Sequence, residues 1–306
     1  MKLINPSVER IHESDPFKKI EKVGRTCYKS EDKITEGSAR KFYHGLVNRQ
    51  HTAMVEHAVF VFQFDDDEGY YFLKSQAPKH LNFTEDNGRY LISGNLRAIN
   101  ELYSFPLCAA VYDVDPELVY NETVKAYLEN CIITNKSARV VDFLTLPNIT
   151  EREFMNHFYM TFLFVTDRGV SHEIVRHREA SYAQESTRYC NYVKEQFGGE
   201  LTFTKPTGWD SLPDHIKFSY AKSWESSEIE YDYLIRHGQT PQQARAVLPN
   251  ALKTEIIMTA CAGELEHFFD LRSRGTTGAP HPDIKVVADM ALTLYEVEKI
   301  SILGVE

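Results

Sequence analysis

At 306 residues, with 42% apolar and 25% charged side chains, the chain can bury a substantial core, as one large domain or two smaller ones. Its formal net charge of -10 argues against general nucleic-acid binding, which needs a basic surface. No run of about 18 apolar residues exists, so no transmembrane helix is expected. Residues 1–6 lack the apolar core of a secretory signal. The five cysteines (Cys27, Cys108, Cys131, Cys190 and Cys261) are odd in number, scattered and without a CxxC pair. That pattern fits neither a disulfide framework nor a zinc site, and it points to the reducing cytoplasm.

In chain order, residues 1–30 read as a strand-like start and a short helix. Phe17, Ile20 and Val23 fall at helical spacing, and Gly24 reads as the stop. A helix follows over 36–50, with Ala39, Phe42, Tyr43, Leu46 and Val47 on one face. Val59 to Phe64 is a strong β run, closed by Asp65-Asp66-Asp67-Glu68-Gly69. His51, Glu56 and His57 precede it in no metal-binding spacing, so polar loop contacts are the better reading. From 70 to 150 the texture is looser, with helices expected from near Ser93 or Asn95 to Tyr103 and from Pro116 to Cys131. Nothing there carries obvious chemistry.

Residues 157–168 form a second strong strand with both faces apolar, as in a sheet covered on both sides. Gly169 ends it and Ser171 is a candidate N-cap for a helix through Arg176. His172-Glu173 and His177 miss the HExxH zinc spacing by one residue. Residues 213–237 read as helical, with Trp224, Ile229, Tyr233 and Leu234 as apolar points. Thr240 and Pro241 open a short helix carrying Arg245. Lys253 to Leu271 reads as one helix burying Ile256, Ile257, Ala260, Leu265 and Phe268. A last helix runs from Pro282 to about Ile302.

The densest chemistry lies in Arg176-His177-Arg178-Glu179-Ala180-Ser181-Tyr182-Ala183-Gln184-Glu185-Ser186-Thr187-Arg188-Tyr189. Guanidinium forks suit bidentate capture of phosphate, hydroxyls add short-range polar contacts, and tyrosine rings offer a face to a heterocycle. These residues describe a site for a phosphorylated, ring-bearing small molecule. The competing reading is a solvated helix face, with Glu179 and Glu185 pairing the arginines.

Arg176-His177-Arg178, seven residues and then Ser186, with Arg188 two further on, resembles the signature of the flavin-dependent thymidylate synthases. Ala244-Arg245-Ala246-Val247-Leu248-Pro249 and Phe268-Phe269-Asp270-Leu271-Arg272 resemble two further blocks of that family. Gly24-Arg25-Thr26-Cys27-Tyr28 and His51 to His57 also fit, in the family's order. The resemblance implies an α/β (α+β) fold, with a central, mostly antiparallel sheet flanked by helices and long C-terminal helices. It implies a single domain over 1–306, with 65–150 a family-variable insertion. It further implies a homotetramer with sites shared between subunits. The implied reaction is reductive methylation of dUMP to dTMP, with 5,10-methylenetetrahydrofolate as carbon donor and FAD carrying hydride from NADPH.

By resemblance, Arg176, His177 and Arg178 contact FAD, and Arg176 and Glu173 also meet dUMP. Gln184, Ser186 and Arg188 meet dUMP from a neighbouring subunit, with Ser186 and Arg188 at its phosphate end. Gln184 also stands at the flavin site. Arg245 binds dUMP, and Arg272 sits by the uracil and favours ionisation at N3. Arg272 and Ser186 are thereby the catalytic candidates. Cys261, Gly263, His267 and Ala53 occupy flavin-contacting positions. Three departures stand out: Ala183-Gln184 in place of Asn-Glu, Cys261 in place of asparagine, and Ala53-Met54 in place of Thr-Pro. They motivate the alternative of a catalytically inactive nucleotide- or flavin-binding homologue.

Overall fold

A computed structural model describes residues 1–76, 79–101, 105–130, 138–194 and 198–304. Helix α1 (Pro16–Tyr28) begins where Asp15 accepts from the amides of Phe17 (2.8 Å) and Lys18 (3.1 Å), with Pro16 in the first turn. It does not stop at Gly24. It runs on to Lys29, which takes the left-handed conformation at φ 47°. A Cβ at position 24 would lie 2.6 Å from the Phe42 ring. The glycine therefore serves close packing of α1 on α2 (Ser38–Asn48), not termination.

Strand β3 (Val59–Phe64) forms as the β-rich run predicts. The acidic stretch after it also opens a helix, α3 (Asp67–Ser75), because Asp66 caps the Gly69 amide at 2.8 Å. Ser93, one of the two expected helix starts, lies inside a strand. β4 (Leu81–Asp86) and β5 (Arg89–Asn95) come first, and α4 (Leu96–Glu101) follows Asn95, whose side chain accepts from the Ala98 amide. Residues 102–103 lie outside the described residues. After α5 (Phe105–Val114), the expected Pro116–Cys131 helix is a 3₁₀ turn at Pro116–Leu118 and then α6 (Glu122–Asn130). Cys131 also lies outside the described residues.

β6 (Ala138–Val141) precedes α7 (Glu151–His157), which starts in a Thr150/Glu153 capping box. β7 (Tyr159–Asp167) leads into α8 (Arg168–Ile174). The cap of α8 is Asp167, which accepts from the Val170 amide at 2.8 Å, and not Ser171, whose hydroxyl bonds Arg168 O within the helix. Then come β8 (Ser181–Gln184), β9 (Thr202–Thr204), α9 (Asp214–Arg236) and α10 (Pro241–Ala244), the last capped by Thr240 as expected. On α9, Trp224 is buried, but Ile229 and Tyr233 are exposed rather than core points.

The largest correction is at Lys253–Leu271. Its first half is strand β10 (Lys253–Cys261), and only then does α11 (Ala262–Phe269) begin. Thr254, Ile256, Ile257 and Thr259 are β-branched and stiff, and both faces of the segment are buried, so the apolar spacing that fits a helix fits a central strand as well. Helix α12 (Pro282–Leu303) closes the chain.

Among the described residues, the fold mixes helices with largely antiparallel sheets. β2 (Ser7–Arg10), β7, β10 and β8 form one four-stranded sheet in that order. β4, β5, β3 and β6 form another, and β1 (Lys2–Ile4) pairs with β9 in parallel. One face of the first sheet presents Phe162, Phe164, Ile256 and Met258 to Phe268, Val287 and Tyr295 of α11 and α12. The other face meets α1 through Val23, Cys27, Ala183 and Ile257. Each fully buried phenylalanine contributes roughly 1.5–3 kcal/mol. Residues 65–150 build on β3: Phe60, Phe62 and Phe64 face their core, and Val61 joins that of the first sheet.

Candidate functional site

The turn between α8 and β8 carries Arg176, His177 and Arg178. It is held by the Tyr182 hydroxyl, 2.6 Å from the His177 carbonyl and 2.9 Å from that of Ile174. His177 is buried, its ring packed edge-on to Phe268 at 4.9 Å and 5.8 Å from the His267 ring. Arg176 and Arg178 on either side point out and are exposed. Arg272 comes from the π-helical turn Asp270–Arg274 that follows α11. Its Nη1 donates to Glu173 Oε2 at 2.7 Å, and its Nε donates to His177 Nε2 at 3.2 Å. Burial and then the Arg272 charge pull the His177 pKa down to about 4. The ring is therefore neutral at pH 7, with Nε2 accepting and Nδ1 carrying the proton. Glu173, His177 and Arg272 thus form one set that fixes the guanidinium, and His267 borders it.

Next to this set is a cavity of about 320 Å³. Arg178, Glu179, Ser181, Cys261 and Glu264 line one side. Glu56, Asn82, Asn95, Arg97 and Tyr159 also contribute to the lining. Arg97 donates to Glu56 and Glu101, both at 2.8 Å, and Asn82 donates to Tyr159 and to Asn156 O, both at 2.9 Å. Burial and then Glu179 push the Glu264 carboxyl up. Burial pushes the Cys261 thiol up as well, so this cysteine is a neutral wall and not a thiolate nucleophile.

A second group lies beyond the other end of β8. The Ser186 amide is fixed by Cys27 O at 3.0 Å, and the Ser186 hydroxyl accepts from the Arg188 amide at 3.3 Å. Arg188 reaches Gln242 at 3.2 Å, and Arg245 reaches Thr187 at 3.4 Å. Among the described residues, Arg176, Arg178, Arg188 and Arg245 have no carboxylate partner. The solvated-face reading fails at its own glutamate: Glu185 is buried, bonded to Lys253 at 2.9 Å and to the Tyr192 hydroxyl at 3.0 Å. Unpaired guanidinium groups in an acidic protein suit an anionic ligand.

The remaining candidates fall as follows. Gln184 spends both amide N–H donors internally, on Ser171 (2.8 Å) and Thr254 (3.1 Å). Ala183 is buried under α1 and is not among the residues that line this cavity. A Cβ on Gly263 would lie 3.2 Å from Met155 O, so close packing on α7 accounts for that glycine. Ala53 and His51 are exposed in the segment before β3, whereas His57 is buried with Nδ1 2.8 Å from the Thr259 hydroxyl. No group of three or more metal-ligating side chains forms among the described residues.

The family model described as thymidylate synthase complementing protein matches residues 10–155 and 129–298. The chain belongs to that family. Among its relatives is a flavin-dependent thymidylate synthase of Geobacter sulfurreducens, 33% identical over 128 residues, 42% of this chain and 53% of that one. Another, from Thermococcus kodakarensis, is 36% identical over 120 residues, 39% of this chain and 48% of the relative. The matched stretches span about half the length of such relatives. A solved UMP/dUMP methylase, PolB from Streptomyces cacaoi, aligns over 99% of this chain and 93% of its own, at 17% identity and a TM-score of 0.42.

Glu56, Asn82, Arg97, Tyr159 and Glu264 line the cavity although none is among the site residues the sequence points to. Glu56 stands inside the His51 to His57 block, and Glu264 directly follows Gly263. Asn82 reaches the cavity through the pairing of β4 and β5, Arg97 through the docking of α4, and Tyr159 through the pairing of β7 with β10, which no local spacing encodes.

Proposed function

We propose that the chain is a flavin-dependent thymidylate synthase that methylates dUMP to dTMP. In this reading 5,10-methylenetetrahydrofolate is the carbon donor and NADPH the source of hydride. One observation carries it: the family match spans the chain, and the fold gathers Glu173, His177 and Arg272 beside a cavity lined by Arg178 and Cys261. The cavity fits a flavin ring. It offers a guanidinium without a carboxylate partner, carboxylates and amides to a flat heterocycle with donors and acceptors on one edge, and it holds no ionised thiol. Arg178, Cys261 and the backbone near Gly263 and His267 would hold FAD there, with Arg176 and Ala53 on its exposed side. Flavin, when bound, supplies the hydride chemistry that no side chain can.

The chain's own residues do the rest. Glu173 orients Arg272, and neutral His177 accepts from Nε without adding a competing charge. The guanidinium is aimed at the pyrimidine N3/O4 edge, where it favours loss of the N3 proton and steadies charge that develops as the ring reacts. Stabilisation of about 3 kcal/mol there is worth roughly a hundredfold in rate. Ser186, Arg188 and Arg245 hold the phosphate, and Gln184 acts by bracing β8 on α8. Ser186 contributes to catalysis by fixing the nucleotide.

The assembly is a cytoplasmic homotetramer with shared sites. Exposed Phe218, Ile229 and Tyr233 on α9 and Val297 and Ile300 on α12 supply apolar surface for it. Residues 1–306 act as one domain, with 65–150 an insertion that walls the cavity. The alternative of an inactive homologue loses its motive at Ala183, which is absorbed in the core. The test is the absorbance of the purified protein with FAD, together with rescue of a thymidine-requiring bacterium. Flavin bands and rescue by the wild type, lost in Arg272→Ala at unchanged melting temperature, are expected. A protein that stays colourless with FAD refutes the reading.

A further inference from the structure

A second cavity, of about 670 Å³, lies beside the first and shares Val59 and Tyr159 with it as a wall. It is not used by the reading above. Its body is apolar, formed by Ile11, Phe60, Val61, Phe143, Phe158 and Met160. Several polar groups stand out against that lining, among them Lys19 and His157.

Lys19, on α1, lines the cavity, and among the described residues its ammonium has no hydrogen bond or ion pair. Burial, and then the Arg10 charge, pull its pKa down to about 8, so it is still mostly charged at pH 7. The Glu13 charge, on the same cavity wall, opposes that fall without bonding the ammonium, so a largely desolvated cation with no direct partner still favours a closer anion. His157 is buried, and its Nδ1 lies 2.8 Å from the Ser93 hydroxyl. That hydroxyl is itself 3.3 Å from Asn156 O, the acceptor for its proton. Nδ1–H then donates to Ser93, which leaves Nε2 as a buried acceptor with no partner, at a cavity-lining residue. Arg10 does not compete for an anion, because Glu298 already pairs with it.

Two carboxylates also line the space. Glu13 accepts from the Asp15 amide at 2.9 Å and Asp142 from the Leu144 amide at 3.1 Å, so both are engaged with their own backbone. They disfavour a multiply charged ligand such as phosphate. One cation, one orphan acceptor and an apolar body together define a narrow chemistry.

We propose that this cavity is a second binding site, which takes an organic monocarboxylate with a flat apolar body. The carboxylate meets Lys19, the ring packs between Phe60 and Phe158, and an N–H or O–H of the ligand donates to His157 Nε2. A carboxylate without such a donor keeps the first two contacts and binds more weakly.

The probe is 2-naphthoate, titrated calorimetrically into the full chain saturated with FAD. Methyl 2-naphthoate and inorganic phosphate are the controls. Binding of naphthoate and not of the ester or phosphate is expected, with a loss of about tenfold in Lys19→Met and near-native affinity in Lys19→Arg. Equal affinity of wild type and Lys19→Met, or of acid and ester, overturns the proposal. A measurement on the wild type alone guards against misfolded variants. Reductive methylation of Lys19, read by peptide mass, should slow at least about fivefold with naphthoate bound, as expected for an ion-paired amine. Unchanged labelling overturns it too. Because FAD binding is read separately, failure here is distinguishable from failure of the flavin reading.

Discussion

Lys253→Met tests what suspends the Ser186–Arg188 turn. The Lys253 ammonium sits 2.9 Å from Glu185 and 2.5 Å from Glu255, and Lys29 closes the chain on Glu255 at 2.8 Å. Glu185 is only 2% exposed, and Lys253 and Glu255 are each 14% exposed. Methionine keeps the volume and the stem but removes the charge between two carboxylates, leaving Glu185 with the Tyr192 hydroxyl alone. Breaking a buried pair from one side costs about 3–5 kcal/mol, and more than half of that should survive the slight exposure of Lys253. At 2–4 °C per kcal/mol, a fall in melting temperature of roughly 5–15 °C follows.

The pH dependence carries a sign. Burial pushes the Glu255 carboxyl up, but Lys253 and Lys29 more than offset it and hold it below its ordinary value. Its contribution is therefore present above the unfolded pKa and lost as pH falls through the folded one. In the variant Glu255 loses one of the two cations that hold its pKa down, and its protonation relieves the loss. The deficit measured by chemical denaturation should be largest near pH 7 and shrink toward pH 4. A deficit below 1 kcal/mol, or one that does not change with pH, refutes the ladder as the support of this turn.

Two further changes probe packing and the site. Gly24→Ala should destabilise by about 1–3 kcal/mol, because its Cβ would meet the Phe42 ring at 2.6 Å. The double variant with Phe42→Leu should recover most of that in urea melts, and no recovery would remove the ring as the cause. Glu173→Gln keeps its shape but loses the charge that orients Arg272 at 2.7 Å. The pair is partly exposed, so about 1 kcal/mol, or some fivefold in dUMP affinity, is expected by calorimetry with the melting point nearly unchanged. An unchanged affinity would leave Glu173 without a role in the site.

How much of this was legible in the sequence depended on the range of the interaction. Thr240 announces its helix because a cap acts within three residues. Arg176 to Arg188 announce chemistry because guanidinium and hydroxyl groups are dense there. Lys253 to Cys261 was read as helix because Ile256, Ile257 and Ala260 satisfy a 3.6 period as well as a doubly buried strand does. Only the register with β7 and β8 decides between them. The same holds for Gly24, whose reason is a ring 18 positions away, and for Ser171, which lost the cap to Asp167 because the helix starts a turn early. Asn82 is invisible as a cavity residue because the spacing does not announce the sheet it rides on, and Arg97 because nothing local shows which face of its expected helix meets the cavity.

The register also separates the two arginine groups. Ser181 pairs with Thr259 and Gln184 with Ile256, and the Glu185 amide donates to Glu255 O. Arg178 and Arg272 cluster at the Ser181 end, while Ser186, Arg188 and Arg245 cluster past Gln184. Five residue steps, four of them within or leaving β8, put roughly 16 Å between Ser181 and Ser186. One chain thus presents two separated groups, and in the proposed shared-site reading a nucleotide site built from Arg272 and Arg188 draws on two copies. That can be tested by mixing. Arg272→Ala and Arg188→Ala should each be inactive alone. If each site draws the two residues from different subunits, random exchange in an equal mixture restores both to about one quarter of the sites in a symmetric assembly. dTMP formation should then recover to about a quarter of the wild-type rate after unfolding and refolding the two variants together, and stay near zero when they are mixed without exchange. If both residues serve a site within one chain, the refolded mixture stays inactive, and the division of β8 into two half-sites is wrong.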